Sequence, residues 1–117
     1  MKRTYYDYVT DILTCVKETQ EFTHGMDFET FAKERKTVNA VLRSLEVMGE
    51  AAKRIPAEIR KKYPEIPWKR MTGMRDKLIH EYSGVDLEIV WNVVQQELPP
   101  IKPLVVRLLE ELERQRL

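Results

Sequence analysis

The stretch VNAVLRSLEVMGEAAKRIP, residues 38–56, decides the fold class. Its apolar residues Val38, Val41, Leu42, Leu45, Met48, Ala52 and Ile55 recur at three- and four-residue intervals, the spacing that lines one face of an α-helix. No part of it alternates as a half-buried strand would. The spacing predicts the longest helix of the chain, from about Phe31 or Lys36 to Ile55, closed by Pro56, which lacks the N–H a continuing helix needs. Gly49 costs about 1 kcal/mol relative to alanine inside such a helix. It marks either a close helix crossing or a tolerated glycine.

The same period extends outward in both directions. Tyr5, Tyr8, Val9, Ile12 and Val16 form a stripe that predicts a first helix ending near His24 and Gly25, after which Asp27 caps a short turn. Beyond Pro56 a brief helix is expected through Tyr63, and Pro64 and Pro67 predict an extended connector into Trp68. The next helix should run from Trp68 to about Tyr82 and end at Ser83-Gly84. Asp86 then caps a helix through Glu97, Leu98-Pro99-Pro100 breaks the pattern, and a last helix from about Ile101 to Arg116 turns Leu104, Val105, Leu108, Leu109 and Leu112 inward. The expectation is an all-α fold, an up-and-down helical bundle of about four to five main helices in a single domain over residues 1–117.

A chain of 117 residues suffices for one compact domain, which buries roughly two-thirds of the surface its unfolded form exposes. Twenty Lys plus Arg against nineteen Asp plus Glu leave a net charge of +1, so any contact with nucleic acid must come from local clustering. The single Cys15 excludes an intramolecular disulfide and a cysteine zinc cluster, and reads as a small core residue. Glu46 and Glu50 share a helix face but have helical partners in Arg43 and Arg54, which discounts them as metal ligands. No metal or cofactor is called for. No apolar run approaches the ~18 residues that span a bilayer, and the charged start lacks the apolar stretch of a secretory signal; a cytoplasmic protein with no membrane contact is expected.

The segment GMRDKLIHEY, residues 73–82, carries the reactive groups. Arginine is a permanent cation whose planar fork fits phosphate oxygens, and histidine both takes and gives protons near neutrality. Cleaving RNA without a metal requires a base for the 2′-hydroxyl proton, an acid for the leaving oxygen and a cation for the charge building at phosphorus. Met71, Met74, Arg75, Leu78 and Tyr82 fall along one helical stripe, so Arg75 interrupts an apolar seam and calls for an acidic partner, a ligand phosphate or a snorkelling path to water. His80, five residues on, points about 140° away from Arg75 around the helix. Either a distorted helix end near Gly84 or a two-fold dimer is needed to unite them, and the dimer also brings two copies of His80 together as acid and base. Asp76 shares a face with His80 and can select its tautomer, and both this carboxylate and the helix C-terminus favour the imidazolium. Tyr82 suits base stacking, hydroxyl donation or a place in the core. The cations Arg60, Lys61, Lys62, Lys69, Arg70 and Lys77 flank this helix, either tracking a phosphate backbone or forming a solvated face.

Arg75, four residues, His80, one residue and Tyr82 together resemble the R-x4-H-x-Y signature of the HepT-like toxin family of HEPN domains. AVLRSLEVMGEAAKRIP (residues 40–56), YPEIPWKRMTGMRDKLIHEY (63–82) and VDLEIVWNVVQQELPPI (85–101) also resemble the family's recurring blocks, in order and over most of the chain. The resemblance implies a helical bundle that dimerises with the motif at its interface, and a metal-independent endoribonuclease that is the toxin of a type VII toxin–antitoxin pair. Carried over, Arg75 and His80 match the catalytic pair, Asp76 the polar position after the arginine, and Tyr82 the acceptor of AMP. The partner implied is a cognate minimal nucleotidyltransferase antitoxin, whose modification adds bulk and negative charge where RNA phosphate would bind. Lys69, Arg70 and Lys77 are then the candidate RNA contacts. The competing readings are a non-catalytic nucleotide- or RNA-binding module that partners a nucleotidyltransferase, and a substrate-binding subunit of an antibiotic-type nucleotidyltransferase. The last leaves Arg75 and His80 without a role.

Overall fold

The computed structural model describes residues 3–80 and 85–116, and gives the backbone alone at 75, 77–80 and 116. Helix α1, Tyr5–Phe22, starts after Thr4, whose backbone N–H donates to Asp7 Oδ2 at 2.8 Å. It stops two residues short of the expected His24, and Gly25, at φ +78°, makes the turn in the left-handed region where a side chain is strained. Helix α2, Phe28–Lys33, is capped as expected by Asp27, which accepts the Thr30 N–H at 2.8 Å. Helix α3, Arg35–Lys53, is a separate element: Glu34 takes an extended conformation (φ −97°, ψ 92°) between the two. That break lets Phe31 leave the line of α3 and bury its ring completely, 5.1 Å from the ring of Trp91.

Helix α4, Ala57–Lys62, begins directly after Pro56 and contains no buried residue. The connector that follows is a compact turn, contrary to the extended one expected from Pro64 and Pro67. Ile66 N–H donates to the Tyr63 carbonyl at 3.1 Å and Trp68 N–H to the Ile66 carbonyl at 2.8 Å. Proline's fixed φ suits the second position of a β-turn and the centre of a three-residue turn as well as it suits extended chain. Helix α5, Trp68–His80, follows; its expected end at Ser83-Gly84 lies outside the described residues.

Asp86 caps helix α6, Leu87–Asn92, accepting the Glu88 N–H at 2.9 Å. The helix runs on into a π turn, Val93–Glu97, and then into helix α7, Leu98–Arg116. The break expected at Leu98-Pro99-Pro100 is therefore absent: α7 starts there, not at Ile101. In the π turn Leu98 N–H reaches back five residues to the Val93 carbonyl, and the two prolines without N–H groups sit where the hydrogen-bond ladder changes register. Pro103 lies inside α7.

The bundle is all-α, with no strand among the described residues. Helix α3 packs between α1 and α5, and α7 closes against α1. Their facing stripes form the core: Val9, Ile12 and Val16 from α1, Val41, Leu45, Met48 and Ala52 from α3, Met71 from α5, and Val94, Leu98, Val105 and Leu108 from the π turn and α7. Of the stripe anticipated on α3, only Leu42 is half-buried. Cys15 is buried, and loss of water together with the charges of Glu18 and Asp11 pushes its thiol up to about 12. Among the described residues, no helix is long and apolar enough to cross a membrane.

Candidate active site

The reactive residues stand on α5, so the contacts that orient this helix set their positions. At its start Trp68 is buried and its indole N–H donates to the Tyr63 carbonyl at 3.1 Å, which fixes the helix to the preceding turn. One turn later Met71 enters the core against α3, with Met74 half-buried beside it. Of the stripe expected along Met71, Met74, Arg75, Leu78 and Tyr82, the first two pack as anticipated; the side chains of Arg75 and Leu78 and all of Tyr82 lie outside the described residues.

Two ion pairs hold the polar flanks. Lys53, in the last turn of α3, donates to Asp76 Oδ1 at 3.0 Å. Arg70 makes a two-pronged contact with Glu97 of the π turn, Nη2 reaching Oε2 at 2.6 Å, and this hydrogen-bonded carboxylate raises the arginine pKa further. Asn92 donates to the same carboxylate at 3.5 Å. From two residues earlier in the π turn, Gln95 donates to Thr23 Oγ1 at 3.2 Å. The irregular turn thus sends one side chain toward α5 and another toward the end of α1.

Helix α5 is continuous through Arg75 and His80, so these positions diverge by about 140° around its axis and rise about 7.5 Å along it. Asp76 lies four residues before His80, on the same face and about 6 Å back along the axis. The side chains of Arg75, Lys77 and His80 lie outside the described residues, as does all of Tyr82. Lys69 is exposed on the first turn of α5; Arg70, beside it, is engaged by Glu97.

Sequence reasoning found the local pairs: Arg43 meets Glu46 at 3.5 Å, and Arg54 meets Glu50 at 3.2 Å. It missed Lys53–Asp76 and Arg70–Glu97, whose partners are 23 and 27 residues apart. No periodicity signals such pairs. Among the described residues no group of three or more His, Cys, Asp or Glu side chains is arranged to hold a metal ion.

Comparison with known proteins places this helix in a family. Residues 12–108 match the family model described as ribonuclease HepT-like. A protein named "Probable ribonuclease HepT" from Thermococcus cleftensis is 46% identical over 102 residues, covering 87% of this chain and 93% of its own length. One named "Putative RNase" from Methanocaldococcus jannaschii is 46% identical over 112 residues, 96% of this chain and 97% of its own. Another of that name, from Caldanaerobacter subterraneus, is 40% identical over 109 residues, 93% of this chain and 97% of its own. No solved structure matches the chain. The chain belongs to the ribonuclease HepT-like family.

Proposed function

We propose that this protein is a metal-independent RNA endonuclease, the toxin of a type VII toxin–antitoxin pair, with residues 1–117 acting as one HEPN domain in the cytoplasm. The observation that carries the reading is the Arg75–His80–Tyr82 signature, begun on one continuous helix of a chain in the ribonuclease HepT-like family. In the proposed reaction the RNA 2′-oxygen attacks phosphorus as a base takes its proton. The bond from phosphorus to the 5′-oxygen breaks, and an acid protonates that oxygen. The products are a 2′,3′-cyclic phosphate and a free 5′-hydroxyl. His80 moves the protons and Arg75 holds the charge that builds on the phosphoryl oxygens. Asp76 orients His80; its contact with Lys53 supports this role, because a carboxylate already held against α3 loses less freedom when it engages the imidazole.

The divergence of positions 75 and 80 supports a homodimer whose two motif helices meet, so that each protomer supplies what the other's helix cannot aim at the same phosphate. Lys69 and Lys77 then contact RNA phosphate, and Arg70 joins them only when released from Glu97. Tyr82 is the off-switch. A minimal nucleotidyltransferase antitoxin transfers AMP from ATP to its hydroxyl, releasing pyrophosphate and placing a negative charge in the path of the substrate.

The test uses pure protein and single-stranded RNA. Cleavage should persist in EDTA and leave cyclic-phosphate and 5′-hydroxyl ends; loss of cleavage on chelation refutes the mechanism. Arg75→Ala and His80→Ala should each lower the rate by about 10²-fold or more, with circular dichroism and gel filtration still showing folded dimers. Retained cleavage in either variant removes that residue from the site.

A further inference from the structure

The cations around α5 fall into two groups. Lys53 and Arg70 are paired with carboxylates across helix boundaries. Arg60 and Lys61 on α4 and Lys69 on α5 have no ion pair among the described residues, and the buried Nε of Arg60 has no hydrogen-bond partner. These three line one broad, open groove of about 940 Å³ between α4 and α5, and no carboxylate lines it among the described residues. In a chain of net charge +1, such local segregation of charge does not follow from composition. The rest of the wall combines the stiff, apolar Pro64, Pro67 and anchored Trp68 with Thr72 and with Arg70, whose guanidinium is already held by Glu97.

We propose that this groove binds the single-stranded stretch of RNA adjoining the scissile phosphate, with Arg60, Lys61 and Lys69 on successive backbone phosphates. The assignment rests on the ribonuclease reading above for the position of the scissile bond. Lys69 precedes Arg75 by six residues, about 9 Å along the same helix and about 120° around it, so the groove borders the approach to the motif from the start of α5. Unpaired RNA fits better than a duplex, because unstacked bases can lie against the exposed Pro64 and the half-buried Pro67 while the cations follow the backbone. The compact turn at residues 63–68 holds both rims in place before binding, which reduces the ordering cost of association.

The experiment measures binding of a labelled, fully 2′-O-methylated RNA strand, which lacks the attacking hydroxyl, by fluorescence anisotropy across a salt series. Helix α4 buries no residue, so the double variant Arg60→Gln, Lys61→Gln should fold as the parent does. Its salt slope should fall by about 1.4, the contribution of two phosphate contacts on a single strand, with weaker binding at every salt concentration. Lys33→Gln with Lys36→Gln, at the end of α2 and the start of α3, removes the same charge, Lys36 standing about 25 Å along α3 from Lys53, and should leave the slope at the parent value. An unchanged slope in the groove variant, or equal losses in both double variants, overturns the proposal. Loss of polyglutamate binding with RNA binding intact overturns it too, and assigns the groove to an acidic protein. Cleavage of unmodified RNA by the parent is scored separately: a nuclease whose groove variant binds normally refutes the groove alone, and groove-dependent binding without cleavage refutes the nuclease reading alone.

Discussion

Helices α3 and α5 lie against each other and are held by different forces. Helix α3 runs between two neighbours and buries Thr37, Val38, Val41, Ser44, Leu45, Met48, Gly49, Ala51 and Ala52 along its length. Among the described side chains of α5, only Trp68 and Met71 are buried, and both lie in its first half. Its flanks are instead tied by surface ion pairs to the end of α3 and to the π turn. Packing energy grows with buried area and is insensitive to salt, whereas exposed ion pairs contribute at most about 1 kcal/mol each. Along its described side chains, the motif helix is therefore held by two buried residues near its start and by these polar contacts.

The strongest way to break this comparison is to empty the core on each side of it. Leu45→Ala should cost about 2–5 kcal/mol in urea unfolding, because α1 and α5 enclose the site and cannot collapse into the space. Met71→Ala should fall at the low end of that range, since a helix packed chiefly on one neighbour relaxes more readily. A larger loss at Met71 would show that α5 is as tightly enclosed as α3. Lys53→Gln should cost less than about 1 kcal/mol, with a loss that shrinks as salt is raised; a salt-independent loss would mean that Lys53 contributes by packing. The smallest effect concerns a cap remote from α5. Asp27 accepts the Thr30 N–H, which lowers its carboxyl pKa below the ordinary 3.8. Its contribution is present above the unfolded pKa and is lost as pH falls through the lower folded value. Asparagine caps about as well at neutral pH without titrating, so Asp27→Asn should leave neutral stability nearly unchanged and make the acid limb of the stability curve shallower.

Much of this architecture was legible because it is local. The stripe on α3, the cap at Asp27 and the pairs Arg43–Glu46 and Arg54–Glu50 need only the three- to four-residue geometry of a helix. Leu98-Pro99-Pro100 misled the reading because a missing N–H ends a regular α-helix but is accommodated where a π turn shifts the ladder by one residue. Pro64 and Pro67 misled it because the same fixed φ serves both an extended chain and a tight turn. At the candidate site, the motif residues and the flanking cations were visible as residues. Their pairing was not.

Sequence by itself determined the helical class, the buried face of α3 and the gathering of Arg75, Asp76, His80 and Tyr82 into one short segment, since all of these follow from spacing along the chain. Tertiary structure alone decided which charges are already committed. It set Lys53 on Asp76 and Arg70 on Glu97, and left Arg60, Lys61 and Lys69 along a groove without carboxylates. The reason is physical: a salt bridge between helices depends on where their axes cross, and that is fixed by how whole faces pack together.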